Sequence, residues 1–438
     1  MFELVAAFQN SIWSLLLLLL LLITHVYFTI RLKFIQRKIP EGIRLSFSKG
    51  QRGKGSMSPF AALATSLAAT IGTGNIIGIS AAIAIGGPGA VFWCWITGIF
   101  GVATCYAECF LSVKYRVKKE NGDYVGGPMY VLERVLCKKK LAFLFAFFTI
   151  AASFGIGSSV QSHSICAAVT EKFPVSPHMI GIVAAMLAGS IIIGGAKKTA
   201  KVCTFLVPFM SLFYFGGCLF LLGRNIEEVP AAIWVIIRSA FTSRSVAGGI
   251  AGTAVMAGMR TGISKGLFTN EAGMGSIAIS AAQARTASPV RQGIVSMTGV
   301  FWDTVVMCAI TGITIVSSML KMPESYRNIE NDRLCFLAFS KIPGGEYILS
   351  VSLVLFAFAT IIGWSYYGEC AAEYLAGEKG TGWYKTAYIV SVYFGAVLSL
   401  ETVWNLADLF NSFMALPNLI SLWLLRKKII QETVCEEE

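Results

Sequence analysis

The 438-residue chain is 55% hydrophobic and only 14% charged, with a mean hydropathy of +0.68. That is too apolar for an ordinary soluble domain and marks a polytopic helical membrane protein. Its net charge of +12 would suit a nucleic-acid partner, but the Lys and Arg residues gather in alternate loops, as orientation in a membrane requires, which argues against one.

Apolar runs set between charged or Pro/Gly loops predict eleven spans, at about 11–31, 58–86, 88–113, 142–171, 178–195, 199–223, 250–283, 290–319, 345–375, 383–400 and 403–426. The first run lacks a basic n-region and a small-residue cleavage site and leads into Arg31, Lys33, Arg37 and Lys38, a stop-transfer pattern, so it is read as a retained span. The stretch Pro230 to Ser245, with Trp234, Ile237 and Phe241 set against Arg238 and Arg244, predicts a short interfacial helix. Basic loops at 31–54, 114–140, 197–201, 285–291 and 426–428 alternate with neutral or acidic ones at Glu171, Glu227 and Glu324 to Asp332. With eleven spans this places the N-terminus outside and the C-terminus in the cytoplasm. Arg260 and Lys265, near the outer end of span seven, break the alternation and are expected to face a water-filled vestibule.

Two glycine-laced breaks interrupt spans two and seven: Gly72-Thr73-Gly74-Asn75-Ile76-Ile77-Gly78 and Asn270-Glu271-Ala272-Gly273-Met274-Gly275. A helix that stops and restarts inside lipid leaves N–H and C=O groups that must be buried in protein and met by a ligand, which predicts a transporter. Each break opens a block of five spans, and the odd count inverts the second block, so the topology predicts an inverted repeat.

At the first break, glycines let N–H groups around Thr73, Gly74 and Asn75 converge on an anion, for which a carboxylate is the natural fit. Carbonyls from Ala69 to Gly72 carry negative partial charge suited to Na⁺, with Thr360 as a further ligand. Helix packing through Gly74-x-x-x-Gly78 is the alternative reading. At the second break, substrate contact is expected through the backbone at Gly273 to Gly275, with Met274 packed on the ligand. Glu271 is a costly intramembrane carboxylate that can pair with a substrate ammonium, with Arg260 or Lys265, or with backbone N–H groups across the gap, the last being favoured. Gln161, and Thr360 with Trp364 four residues on, add polar groups near mid-span, and His163 lies close to Gln161. Asp303, Glu369 and Asp408 are further acids at membrane depth, expected in structural pairs.

Zinc, nucleophile and P-loop spacings are lacking, so an enzyme is not expected and no cofactor is implied. A channel is disfavoured by the occluding aromatic residues around a compact polar site.

Several long motifs in order resemble the alanine or glycine:cation symporter family, the sodium:alanine symporters. They are Gly72-Thr73-Gly74-Asn75, Ala84-Ile85-Gly86-Gly87-Pro88-Gly89-Ala90-Val91-Phe92-Trp93, Gly126-Gly127-Pro128-Met129-Tyr130, Gly266 to Ser276, and Thr360 to Glu369. The resemblance runs nearly end to end. It implies an all-α membrane protein of about eleven helices with a five-plus-five inverted repeat and two broken helices, the LeuT-like or amino acid-polyamine-cation transporter fold. It also implies Na⁺-coupled uptake of alanine or glycine, with D-alanine or serine as further candidates, across a prokaryotic cytoplasmic membrane, and H⁺ as the rival coupling ion. By motif position the substrate pocket would be lined by Thr73, Gly74, Gln161, Met274, Gly275, Thr360 and Trp364. Relatives usually carry Asn where this chain has Ser158, and Asn again at His163.

The expected organisation is one integral membrane unit: an N-terminal span and loop (1–57), a first five-helix repeat (58–223), an external connector (224–249), a second repeat (250–426) and a short tail (427–438). Expected partners are a small amino acid, Na⁺ and membrane lipid, without nucleic acid or an obligate protein partner.

Overall fold

The computed structural model describes residues 12–48, 53–120, 122–242, 251–326, 333–398 and 401–437, and it is helical almost throughout. Helix α1 (Ile12–Arg31) bends through 70° at Leu32 to Phe34, where Lys33 and Phe34 take φ of 51° and 60°, into a 3₁₀ turn and α2 (Ile39–Ser46). Span two is α3 (Pro59–Thr70) and α4 (Ile77–Gly86), bent by 61°, and span three is α5 (Gly89–Lys114). A two-residue hairpin, β1 (Val117–Lys118) with β2 (Tyr124–Val125), and α6 (Pro128–Arg134) lead to α7 (Lys139–Ala152). A π-helical stretch, Ser153–Ser159, joins α7 to α8 (Val160–Thr170). Then come α9 (Pro177–Ile192), α10 (Gly195–Arg224) and α11 (Val229–Ser239). Span seven is α12 (Ala251–Asn270) and α13 (Ser276–Ala281). Span eight, α14 (Pro289–Val300) and α15 (Ala309–Lys321), has its own π-helical stretch at Phe301–Cys308. The chain ends with α16 (Leu334–Ser340), α17 (Gly345–Val397) and α18 (Glu401–Glu437).

Three of these helices open on a Ser-Pro pair. Ser58, Ser176 and Ser288 each accept from the N–H three residues on, at 3.1, 3.3 and 3.2 Å, and the proline fills the first turn, where a missing N–H costs nothing. The 53 residues of α17 would measure ~80 Å as one rod, far beyond a ~30 Å bilayer core. Gly377 (φ 67°, ψ −164°) breaks it, and Tyr388 Oη donates to Ile361 O at 2.8 Å, so the second arm folds back on the first. Predicted spans nine and ten are these arms, and the loop expected between them shrinks to a kink at one glycine.

By length and apolarity alone, five helices among the described residues can cross a membrane, or up to seven with each bent pair counted as one span. The predicted eleven exceeds that count because α9 is only 16 residues long, α12 and α18 are not among the helices that qualify, and the two arms of α17 count as one. The interfacial helix appears as α11, with Ala232 and Ile236 buried and Trp234, Ile237 and Phe241 exposed. Arg244 and Ser245 lie outside the described residues, as does the loop from Arg327 to Asp332.

Glycines seat α12 on α5. Added Cβ atoms at Gly258, Gly262 and Gly266, four residues apart, would lie 2.6 Å from Gly86 O, 2.2 Å from Ala90 O and 2.1 Å from Thr97 Oγ1, so only hydrogen lets the backbones approach this closely. At the end of the bundle carrying the 31–54 loop, Arg116 ties together the segments flanking the two broken spans. Its guanidinium donates to Lys54 O (2.8 Å) before α3 and to Ala282, Ala284 and Thr286 carbonyls (3.0, 2.7 and 3.0 Å) after α13, while stacking on Tyr124 at 4.8 Å. Arg116→Gln, which cannot reach four acceptors, is expected to cost about 1.5 kcal/mol, at the lower end for charged hydrogen bonds because the group is half-buried. A thermal midpoint in detergent equal to wild type would show that water replaces the guanidinium without loss.

Candidate functional site

The first break is held open by Asn75. Its Oδ1 accepts from Gly72 N–H at 2.9 Å, and its Nδ2 donates to Asp303 Oδ1 at 2.8 Å and to Asp303 O at 3.1 Å. Asp303 was expected in a structural pair; it makes one, and the pair is with the break itself, presented from the π-helical stretch of span eight. That stretch widens the turn. The N–H groups of Thr73 and Gly74 receive no acceptor among the described residues, and the carbonyls of Ala69, Thr70 and Ile71 no donor. One member of each expected set is missing, because Asn75 N–H donates to Gly72 O at 3.2 Å, which takes the Gly72 carbonyl from the expected cation ligands and the Asn75 N–H from the expected anion donors.

Side chains from two other spans close on this gap. Thr73 Oγ1 donates to Gln161 Oε1 at 3.1 Å, and Gln161 Nε2 donates to Ile156 O at 3.1 Å within the span-four π-helical stretch. Thr360 Oγ1 lies where a Cβ on Gly72 would be 2.7 Å away, and a Cβ on Gly363 would be 2.5 Å from Ala69 N, so α17 crosses directly over the end of α3. Trp364, fully buried, packs its Cβ against Gly157 and shares one apolar cluster with Ala69 and Met274. Thr73, Asn75, Gln161, Met274, Thr360 and Trp364 are all at most 6% exposed. Gly74 is half-buried, and a Cβ on Gly78 would meet nothing within 4 Å. Arg260 is exposed on α12, and Lys265 is half-buried above the Phe268 ring at 5.8 Å.

The breaks meet, since a Cβ on Gly74 would sit 2.9 Å from Thr269 Cγ2 at the end of α12. The second break is an unwound turn in which Glu271, Gly273 and Gly275 take φ of 53°, 86° and 88°. Two of these positions require glycine, because a side chain in the left-handed region is strained. Here the gap is filled mostly by protein. Gly275 N–H donates to Glu108 Oε2 at 3.1 Å, and Gly273 O accepts from Asn418 Nδ2 at 2.9 Å, while Asn418 Nδ2 also reaches Glu108 Oε2 at 2.9 Å. Gly273 N–H also faces the Glu108 carboxylate, so the backbone donors from 271 to 275 are met within the protein.

The carboxylate expected to satisfy backbone N–H groups across this gap was Glu271. It is Glu108, because Glu271 turns its Oε2 onto Ser276 Oγ at 2.5 Å, and the Trp364 indole N–H faces Glu271 without a hydrogen-bond partner of its own. Glu108 went unnoticed in the sequence, although an acid in the middle of an apolar span is the signal that finds such residues. Glu108, Glu271 and Asp303 are each at most 3% exposed and have no Lys or Arg partner among the described residues. Glu369 does pair as expected, with Lys385 at 2.9 Å. The side chain of Asp408 lies outside the described residues.

Two side chains singled out by sequence point elsewhere. Ser158 Oγ donates to Phe154 O at 2.8 Å and lies 2.7 Å from Ser391 Oγ on the second arm of α17. His163 is half-buried and sits two residues, about 200° around the helix, from Gln161, so the two cannot face one site.

A helical bundle with two unwound spans meeting at a buried polar gap defines a multi-pass membrane transporter of the LeuT type. Two solved structures share the fold: MhsT in complex with L-phenylalanine, with a TM-score of 0.61 at 14% identity over 86% of this chain and 90% of MhsT, and a Na⁺-coupled sialic acid symporter in its substrate-bound outward-open state, with a TM-score of 0.55 at 14% identity over 93% and 86%. The chain belongs to the sodium:alanine symporter family, whose model matches residues 1–435. It is 44% identical over 439 residues to the sodium/alanine symporter AgcS of Methanococcus maripaludis, covering 98% of this chain and 96% of AgcS. A Haemophilus influenzae transporter is 46% identical over 437 residues (98% and 95%), and the amino-acid carrier protein AlsT of Bacillus subtilis 36% over 424 residues (95% and 88%). The chain is thus an amino-acid symporter and not an enzyme.

Proposed function

We propose that this symporter takes up a small neutral amino acid, alanine or glycine, driven by the Na⁺ gradient across the cytoplasmic membrane, with its N-terminus outside and its C-terminus inside. The observation that carries the reading is the pair of unpaired N–H groups at Thr73 and Gly74, facing away from a helix end whose carbonyls are also unpaired. The N–H groups suit a substrate carboxylate, with the Thr73 and Gln161 side chains beside it. The carbonyls of Ala69 to Ile71, with Thr360 Oγ1 near Gly72, suit a hard cation taking oxygen ligands. Trp364 and Met274, packed in one apolar cluster beside the gap, would favour a small side chain, as in alanine, glycine, D-alanine or serine, over a larger one. Na⁺ seated at the carbonyl end of the break would order the same few residues that hold the carboxylate, and this shared backbone couples the two ligands.

Proton coupling is the second reading, favoured by the three buried carboxylates without a cation partner. Replacing external Na⁺ by choline separates the two. Uptake of radiolabelled alanine into proteoliposomes should fall to background in choline at every pH from 6 to 8, whereas uptake sustained in choline by an inward pH gradient would reject Na⁺ and leave H⁺.

A further inference from the structure

The ends of α1 and α18 enclose an open cavity of about 660 Å³, lined by Tyr27, Arg31, Trp423, Arg426, Lys427 and Ile430, with Gln431 at its edge. We propose that this cavity binds the phosphate-bearing headgroup of an anionic phospholipid. Three cations face it, and among the described residues none has a carboxylate partner: Arg426 donates only to Trp423 O (2.6 Å) and lies over the Trp423 ring at 5.7 Å, and Arg31 and Lys427 are exposed. The neighbouring acid, Glu432, is already engaged by Lys114. The floor is preformed, since Tyr27 and Trp423 pack at 4.7 Å and Trp423 Nε1 donates to Thr24 Oγ1 at 2.9 Å.

Place and chemistry argue for a lipid over a soluble anion. The cavity lies between two helices at the end of the bundle that carries the basic 31–54 loop, where positive charge collects beside anionic leaflets. Tyr and Trp sit there with the cations, as they do at the level of headgroups. Ile23 and Ile30 on α1 and Leu424 on α18 are 56%, 59% and 51% exposed along the same two helices, offering apolar surface for acyl chains beneath the basic mouth. An unpartnered cluster of cations over such a surface is complementary to a phosphate with two tails.

The test uses the full chain purified in detergent, with native mass spectrometry of retained lipid and thermal unfolding as readouts, after addition of phosphatidylglycerol, phosphatidylcholine or inorganic phosphate. Wild type should retain phosphatidylglycerol and be stabilised by it, and show neither effect with phosphatidylcholine. Arg31→Gln with Lys427→Gln, two exposed residues without contacts to lose, should weaken retention roughly fivefold per removed charge. The control pair Lys138→Gln with Lys379→Gln, exposed cations elsewhere, should retain lipid as wild type does. Equal retention by the cavity variant, or equal loss in the control pair, would overturn the site. Stabilisation by inorganic phosphate as large as that by phosphatidylglycerol would overturn the lipid and leave a free-anion site.

Discussion

Trp364→Ala is expected to lower stability by about 3–5 kcal/mol, the range for truncating a fully buried tryptophan, and to weaken alanine uptake by about tenfold or more. Both effects come from one place. The side chain lies against Gly157 in the span-four π-helical stretch, meets Tyr367 edge-on at 5.7 Å, and closes the apolar side of the gap with Met274. Removing it leaves a void beside the proposed substrate, so a bulkier amino acid should gain uptake relative to alanine. Thermal unfolding in detergent and competition by a panel of amino acids read the two effects separately. A destabilised variant with unchanged KM and unchanged selectivity would make Trp364 a packing residue and remove it from the substrate pocket.

Glu108→Ala should be comparably severe, at about 2–6 kcal/mol. It strips the acceptor from two buried donors, Gly275 N–H and Asn418 Nδ2, each costing about 1–3 kcal/mol when left unsatisfied. The unwound turn of span seven would then lose the group that holds it to α5, keeping only the Asn418 bond to Gly273 O from α18. Glu108→Gln keeps a carbonyl oxygen for both donors, so it should retain most of the stability and transport. If the Gln variant proved as damaged as the Ala variant, the negative charge itself, and not the acceptor geometry, would be what the fold requires.

The two breaks could be read from sequence because their cause is local: glycine is the residue that tolerates the left-handed turns at 273 and 275 and the close approach of Thr360 at 72. What fills a break is decided by residues far away in the chain. Asn418 lies 145 positions beyond the carbonyl it satisfies, and Asp303 lies 228 beyond Asn75, so neither partner follows from spacing. The π-helical stretches were equally hidden, since a run such as Ser153 to Ser159 reads as ordinary helix, and the widening follows from packing against Trp364 and Tyr388. Gly377 misled in the other direction. The gap between the expected spans 345–375 and 383–400 implied a loop, yet one residue with positive φ suffices to reverse a helix. Periodicity and apolarity carried the helical fold, and the glycines the place of the two breaks, while the identity of the groups that support those breaks belonged to the tertiary structure.

Arg116 stitches the approach to α3 to the exit from α13 at one extremity of the molecule. Prising that extremity apart would cost the guanidinium its one link to Lys54 O, together with the direct backbone bonds from Ser56 and Met57 N–H to Gln283 O, from Arg285 N–H to Met57 O and from Thr286 N–H to Lys54 O. The seal there is thus shared between one guanidinium and a short stretch of paired backbone.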